Sequence, residues 1–531
     1  MTERQTYNLV REPFLPCRFN DGSAKEMSLM DCLIQSHEIR ELEDPSPLVM
    51  VSLHRFLLAV LHSAFRGPKD GEERVSLRQA GRWDEEKIKG YLNRWQDSFD
   101  LFHPKKPFYQ SAQLQTKKHL GPNKLLHELS AGNNPILFDH TMDKKAGEFA
   151  PAIATRALIA TQSFAISSGK SEFGHTKDSP LIGKAICLII GKNLFETLWL
   201  NLLIYNLGRE EPISGNSEDK PWWENESVAS FSQPAHPNGW LDLLTWQSRA
   251  ILLHRPPASK NILKISFAQG RDFKPSRALL EPMSAFRHSA EDIRALCFQK
   301  ERAFWRDSTA LFQFGEADEC QGPATIRSLG RLPSRVVSRN ERNNIALFGL
   351  CNEQADILYW GKEALPLFME YLDNPQLVAG LKIAIQMAEE VGKAALNSSA
   401  RVAAEARLEN PGSGSRPDKD RVSSLVLSLG PVRHYWSMVE TPFRQLMDKF
   451  AQPGAEPPKL LTDWFHQILR PCALRAFEDA FGRLTSGRDL RGHAIGRKKL
   501  VMALGKIRNS HNIQAPGSQT IIPEESISHE Q

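Results

Sequence analysis

No two cysteines in this 531-residue sequence are close enough to form a CxxC pair. The seven present, Cys17, Cys32, Cys187, Cys297, Cys320, Cys351 and Cys472, are odd in number and widely scattered. A disulfide framework is therefore excluded, and a reducing compartment is implied. Long apolar runs are scarce as well. The opening Met1–Val10 has no apolar core and is no signal peptide. The longest apolar stretch, near Ile186–Ile190, is far too short to span a bilayer. A cytoplasmic protein with no membrane partner is expected. Charge of one sign is also modest: 67 Lys+Arg stand against 62 Asp+Glu, a formal +5. That excludes a dense basic coat for nucleic acid. Any such contact must be local, or other subunits must supply most of the charge.

What is present is ordinary globular material, 41% hydrophobic and 24% charged. The length exceeds one compact core and implies two or three domains. No internal repeat is visible. Ser46–Phe65 reads as a buried helix, Leu181–Ile190 and Ile262–Phe267 as strands, and Leu194–Tyr205 as a helix. The expected fold is α+β: an irregular mixed domain over 1–364, then a four-helix bundle over 365–508. In the bundle, Leu377, Leu381, Ala384, Ala388, Val391 and Ala395 share one face. Val422–Leu429 and Tyr435–Phe450 form an element interrupted by Pro431 and Pro442. Leu460–Leu484 follows with a kink near Pro471, then Leu490–Ile507. Residues 509–531 form a polar tail expected to lack fixed structure.

No enzyme motif survives inspection. His127-Glu128 starts an HExxH pattern, but the second histidine position is Ala131. Gly492–Lys498 has the wrong glycine spacing for a phosphate loop, and no Ser/Thr follows its lysine. Asp139-His140 reverses the order of metal-dependent phosphohydrolases, with no supporting histidine cluster. Cys351 has no activating neighbour in sequence, and Glu389-Glu390 reads as a solvated helix face. No catalytic residue, metal site or cofactor is expected.

Basic residues are more suggestive. Arg488, Arg491, Arg497, Lys498, Lys499, Lys506 and Arg508 fall within about six helical turns. Such a stripe suits a phosphate backbone or a solvated face equally. Lys105-Lys106, Lys117-Lys118 and Lys144-Lys145 pose the same choice. The run Ser167–His175 is either a flexible connection or a loop whose small residues and free amides approach a ligand.

An ordered set of segments then resembles one family. Tyr7–Pro16 (YNLVREPFLP) resembles the opening "NLxxEPWIPV" of the CasA family, the large subunit of the type I-E CRISPR Cascade complex. Phe99–Phe102 and Pro107–Gln110 resemble its "FDLF…PFxQ", Asp242–Arg249 its "LLTWxSR", and Asn352–Leu358 its "NQAxIL" hairpin. The resemblance spans nearly the whole chain. It implies a non-catalytic subunit that finds a short tag, the protospacer-adjacent motif, beside the target in double-stranded DNA. Such a subunit reads the minor groove, opens the duplex for guide crRNA, partners the other Cascade subunits and helps recruit a helicase-nuclease.

By the resemblance, Gln354 matches the wedge, within the hairpin of Asn352, Glu353 and Ala355. Glu353 replaces the family's usual Asn. The loop at Gly169 matches the glycine loop, with Lys170, Ser171 and Glu172 in place of its later glycines. Lys264 is the nearest match, one residue out of register, to a minor-groove lysine. Phe138, with Asn133 and Asn134 in the same loop, matches the docking segment at the guide-RNA 5′ end. Arg497, Lys498 and Lys499 are the stripe's candidates for phosphate. Two other classes remain open: a stand-alone nucleic-acid hydrolase and a protein-only scaffold.

Overall fold

Ser46 begins the longest helix of the N-terminal half. Its hydroxyl accepts from the Val49 amide at 3.3 Å, Pro47 occupies the first turn, and Arg66 ends the helix at a left-handed φ of 51°. The helix Pro47–Phe65 carries apolar residues on every side and is buried almost throughout, with His54, Arg55 and His62 buried among them. By length and composition it could cross a membrane, which the reading of apolar runs above overlooked. In this fold 89% of its apolar window is buried, as a core helix.

The computed structural model describes residues 6–126, 147–167, 169–205, 218–225, 234–289, 292–299, 302–313, 320–332, 342–353, 356–409, 416–483 and 485–513. The chain divides into two compact units, Met1–Leu372 and Asp373–Gln531. The strand Asp356–Phe368 runs past residue 365, so the compositional change precedes the end of the first unit.

In the first unit, Phe56 of the core helix gathers the rings of three segments singled out above. Phe14, Phe99 and Phe108 meet it edge-on at 6.4, 6.3 and 5.6 Å, with Trp223 at 5.7 Å. Gln110 then donates to the Leu101 carbonyl and accepts from the Leu253 amide, each at 2.8 Å. In this chain these segments therefore build the core around Phe56. Cys17 and Cys32 also meet, thiol to thiol at 3.8 Å. Their hydrogen bond and burial push the Cys32 thiol well up, so it is inert.

Asp356–Phe368, Arg342–Glu353 and Ile186–Ile190 form a three-stranded antiparallel sheet in that order. The last strand is shorter than expected, because Pro180 and a left-handed Gly183 hold the residues before it in turns. Its outer edge is not left open. Ala185, Cys187 and Ile189 donate their amides to Leu296 O, Met283 O and Asn201 Oδ1. Asn201 closes the helix Leu194–Asn201, four residues short of the expected end.

In the second unit the predicted stripe is the core except at its start, where Leu377 in the first turn is only half-buried. Leu381, Ala384, Ala388, Val391 and Ala395 are fully buried along Pro375–Glu390 and its π-helical continuation Val391–Asn397. The remaining helical elements are Ser398–Leu408 continuing that rod, Lys419–Leu429, Pro431–Phe450, Pro457–Phe481 and Gly487–Ser510. Pro431 starts its helix, but Pro442 does not interrupt it. Buried Val439, Phe443, Leu446 and Met447 hold the rod through the missing hydrogen bond. At Pro471 the chain answers with a π segment, Trp464–Leu469, which absorbs the lost turn geometry.

Two buried histidines make the first unit acid-sensitive. His54 and His62 hydrogen-bond the carbonyls of Met50 and Gly67, and burial depresses each pKa to about 4. Their stability is present above the unfolded value near 6.5 and is lost as pH falls toward 4. Burial raises Asp219 to about 6, which opposes the loss over the lower part of that range. Between pH 7 and 5 each histidine is expected to cost on the order of 2 kcal/mol, offset by about 1 kcal/mol from Asp219. Urea midpoints at the two pH values check this, and pH-independent midpoints would contradict it.

Candidate nucleic-acid interface

The strands Arg342–Glu353 and Asp356–Phe368 pair from Arg342↔Phe368 to Glu353↔Asp356. Their third partner stops at Phe348↔Ile186, so beyond it the pair continues alone as a ribbon. Five more residues, Gly349–Glu353, extend it by roughly 16 Å. A β-carbon at Gly349 would lie 2.5 Å from the Phe298 ring, so glycine is what lets that ring brace the ribbon base. The register shifts by one between Cys351 and Asn352, a bulge just below the tip. Asn352 is half-buried opposite Ile357, and Cys351 lies half-buried opposite Tyr359. Glu353 forms the last pair. Gln354 and Ala355 lie outside the described residues, as do Phe138, Asn133, Asn134, His127 and Asp139.

Gly169 opens a second hairpin. Its φ of 96° is a left-handed conformation that favours glycine. Lys170–Ser171 then pairs with Gly174–His175. The hairpin base is closed by Ser167, whose amide donates to Asp178 Oδ1 at 2.6 Å and whose hydroxyl donates to Thr176 O at 2.7 Å. Beneath it lies Arg249, the arginine of the "LLTWxSR"-like segment. It is buried, and its guanidinium donates to the carbonyls of Ala165 and Ile166 at 3.2 and 2.8 Å. Burial lowers its pKa to about 10. That arginine positions the glycine hairpin, a role its sequence context did not reveal.

The hairpin stands beside the strand Lys264–Gln269, where the Lys177 amide donates to Gln269 Oε1 at 2.8 Å. Lys264 is exposed at the start of that strand, in register with His254. The His254 ring stacks on His119 at 4.3 Å and 14°, and its Nε2 is 2.9 Å from Ser266 Oγ. Lys117, Lys118 and His119 are exposed on the loop alongside, whose Thr116 Oγ1 is hydrogen-bonded to Ser266 Oγ at 2.8 Å. Lys117, Lys118 and Lys264 thus stand exposed on two distant segments joined by Thr116–Ser266 and Leu120–Ile265 contacts, and Lys170 is exposed on the neighbouring hairpin. The histidine pair was missed, because only the fold brings 119 beside 254.

The segment Thr176–Ala185 links the glycine hairpin to Ile186, at the end of the sheet from which the ribbon continues.

The basic stripe belongs to the second unit and splits in role. Arg497 is tied to Glu478 at 2.7 Å, and His493 to the same carboxylate at 2.7 Å. Lys498 and Lys499 border a surface groove of about 500 Å³ lined by Ala394, Ile495 and Met502. Gly492 and Gly496 are packing glycines. A β-carbon would lie 2.6 Å from Ala403 O at the first, and 2.7 Å from Phe477 Cζ at the second. Among the described residues, no group of three or more His, Cys, Asp or Glu is placed to hold a metal ion.

The profile of the family described as CRISPR-associated protein Cse1 matches residues 8–475. The chain belongs to the Cse1 family. It is 31% identical over 522 residues to the CRISPR-associated protein CasA/Cse1 of Thermus thermophilus, covering 96% of this chain and 99% of that one. A solved structure of Thermus thermophilus CasA (Cse1) matches with a TM-score of 0.80 at 28% identity, over 94% of this chain and 99% of that chain. A chain from a structure titled CRISPR RNA-guided surveillance complex shares the fold, with a TM-score of 0.75 at 23% identity over 93% and 99% of the two chains. The α+β fold with a C-terminal helical region is that of Cse1 structures.

Proposed function

We propose that this Cse1-family chain is the non-catalytic large subunit of an RNA-guided CRISPR surveillance complex, and that it reads and opens duplex DNA. The observation that carries this is the two-stranded ribbon that continues beyond Phe348↔Ile186 to its last pair Glu353↔Asp356, in the same unit as the Gly169 hairpin. A ribbon is narrow enough to enter a groove, and Gln354, which follows Glu353 in the sequence, carries a planar amide that can bond freed base edges. Asn352, Glu353 and Ala355 complete the tip. Gly169, Lys170 and Ser171 approach the tag, and Lys264 supplies a minor-groove cation. Lys498 and Lys499 track phosphate on the second unit, with Arg497 contributing once released from Glu478. Phe138, with Asn133 and Asn134, docks the subunit at the 5′ end of the guide RNA. Guide pairing then supplies target specificity. The same subunit helps recruit the helicase-nuclease.

Gel shifts of the assembled complex on duplexes randomised beside the target test the reading. Affinity is expected to vary with the tag by roughly 1–3 kcal/mol per base pair, and only when this chain is present. Uniform affinity across tags would favour a protein-only scaffold. DNA cleavage by the purified chain would favour a hydrolase.

A further inference from the structure

Glu172 stands at the turn of the glycine hairpin, between Ser171 and Gly174, where the resemblance leads one to expect glycine. Its carboxylate does not point idly into solvent. One oxygen, Oε1, accepts from the backbone amides of both Lys117 and Lys118, at 2.7 and 3.2 Å. Two successive amides converging on one anionic oxygen make an anion seat, the arrangement that backbone nests use for phosphate.

The seat does not depend on Glu172 for its shape. Thr116 Oγ1 donates to the Lys118 carbonyl at 3.0 Å and lies 2.8 Å from Ser266 Oγ, which can donate to it, pinning the loop onto the strand Lys264–Gln269. Leu120 and Ile265 exchange both backbone bonds at 2.9 Å, fixing its other end. The surroundings favour an anion too. Lys117, Lys118 and Lys264 are exposed around it, with the stacked His119–His254 pair alongside. A single exposed glutamate, held by two amides in water, is a weak occupant that a better-placed anion can displace.

We propose that the Lys117–Lys118 amides seat a backbone phosphate of duplex DNA, and that Glu172 fills this seat in the free chain as a built-in competitor. This rests on the reading that this face meets DNA. Each phosphate that enters must expel the carboxylate, so the seat contributes little to random duplex. It contributes fully where other contacts already hold the DNA. The glutamate thereby suppresses tag-independent binding.

Two readouts together test the proposal. Glu172→Gln keeps a weaker, uncharged acceptor, and Glu172→Ala empties the seat. In the assembled complex, affinity for duplex lacking the tag is expected to rise in the order wild type, Gln, Ala, reaching roughly three- to tenfold at low salt. The slope of log affinity against log salt steepens by about one contact. In the full-length chain labelled with ¹⁵N-lysine, inorganic phosphate is expected to move the Lys117 and Lys118 amide resonances at lower concentration in Glu172→Ala than in wild type.

Unchanged affinity overturns the proposal, even if phosphate moves the amides, since the seat then takes an adventitious ion only. A rise in affinity with unmoved amides overturns it as well, because loss of repulsion alone explains that result. Target opening at a matched tag, measured in the same variants, keeps the two questions apart. If it stays at the wild-type level while affinity and amides do not move, the seat fails and the duplex-opening reading stands.

Discussion

Glu281→Ala is expected to destabilise the first unit by about 3–5 kcal/mol, the loss typical when one member of a buried ion pair is removed. Glu281 and Arg55 form a two-pronged pair, with Arg55 Nη2 3.0 Å from Glu281 Oε2 and both side chains about 2% exposed. Arg55 lies mid-way along the core helix, so truncating the glutamate strands a guanidinium among apolar side chains. The damage spreads toward the interface. Glu281 Oε1 also accepts from the Met283 amide at 3.2 Å, and the Met283 carbonyl covers the edge of the strand Ile186–Ile190. The paired replacement Arg55→Met with Glu281→Met is expected to recover most of the loss, since it leaves no uncompensated charge. Urea unfolding of the two single variants and the double one decides. A Glu281→Ala midpoint within 1 kcal/mol of wild type would contradict the account.

Gln354→Ala is expected to leave folding and tag affinity nearly intact while slowing duplex opening by roughly ten- to a hundredfold, the worth of about 1–3 kcal/mol of base contact. Folding is spared because the ribbon is fixed below its tip by its register and by Phe298 against Gly349. Tag affinity is spared because the residues proposed to read the tag, Gly169 and Lys264, stand on other segments. The rate of fluorescence rise from a base analogue placed beside the tag measures the loss. A Gln354→Asn variant retains the amide on a shorter stem and should fall between the two.

The helical half of this fold was legible because its signal is local. Leu381, Ala384, Ala388, Val391 and Ala395 repeat on one face, and that face is the core. Gly492 and Gly496 were legible only as a poor phosphate loop. Their packing role needed Ala403 and Phe477, which lie far off in sequence. The mixed half was harder. Leu181–Ile190 read as one strand, yet a turn at Pro180 and Gly183 consumes its first half. At the interface, Gln354 and Gly169 entered through the ordered resemblance, because a polar hairpin and a glycine loop carry little chemistry by themselves. Arg249 beneath the hairpin, His119 on His254, and Glu172 on the Lys117–Lys118 amides were invisible. Each is a contact between segments that periodicity and spacing do not connect. Domain limits blurred for a similar reason: composition turns helical near residue 365, while the strand carries on to Phe368.

The central claim is that this Cse1-family chain opens duplex DNA beside a tag without cutting it. Permanganate reactivity of thymines next to the tag measures that opening directly, with guide-loaded complexes that contain either the wild-type chain or Gln354→Ala. The account predicts strong reactivity with wild type and little with the variant, on duplex that both complexes still bind and neither cleaves. Equal reactivity from the two complexes would contradict it.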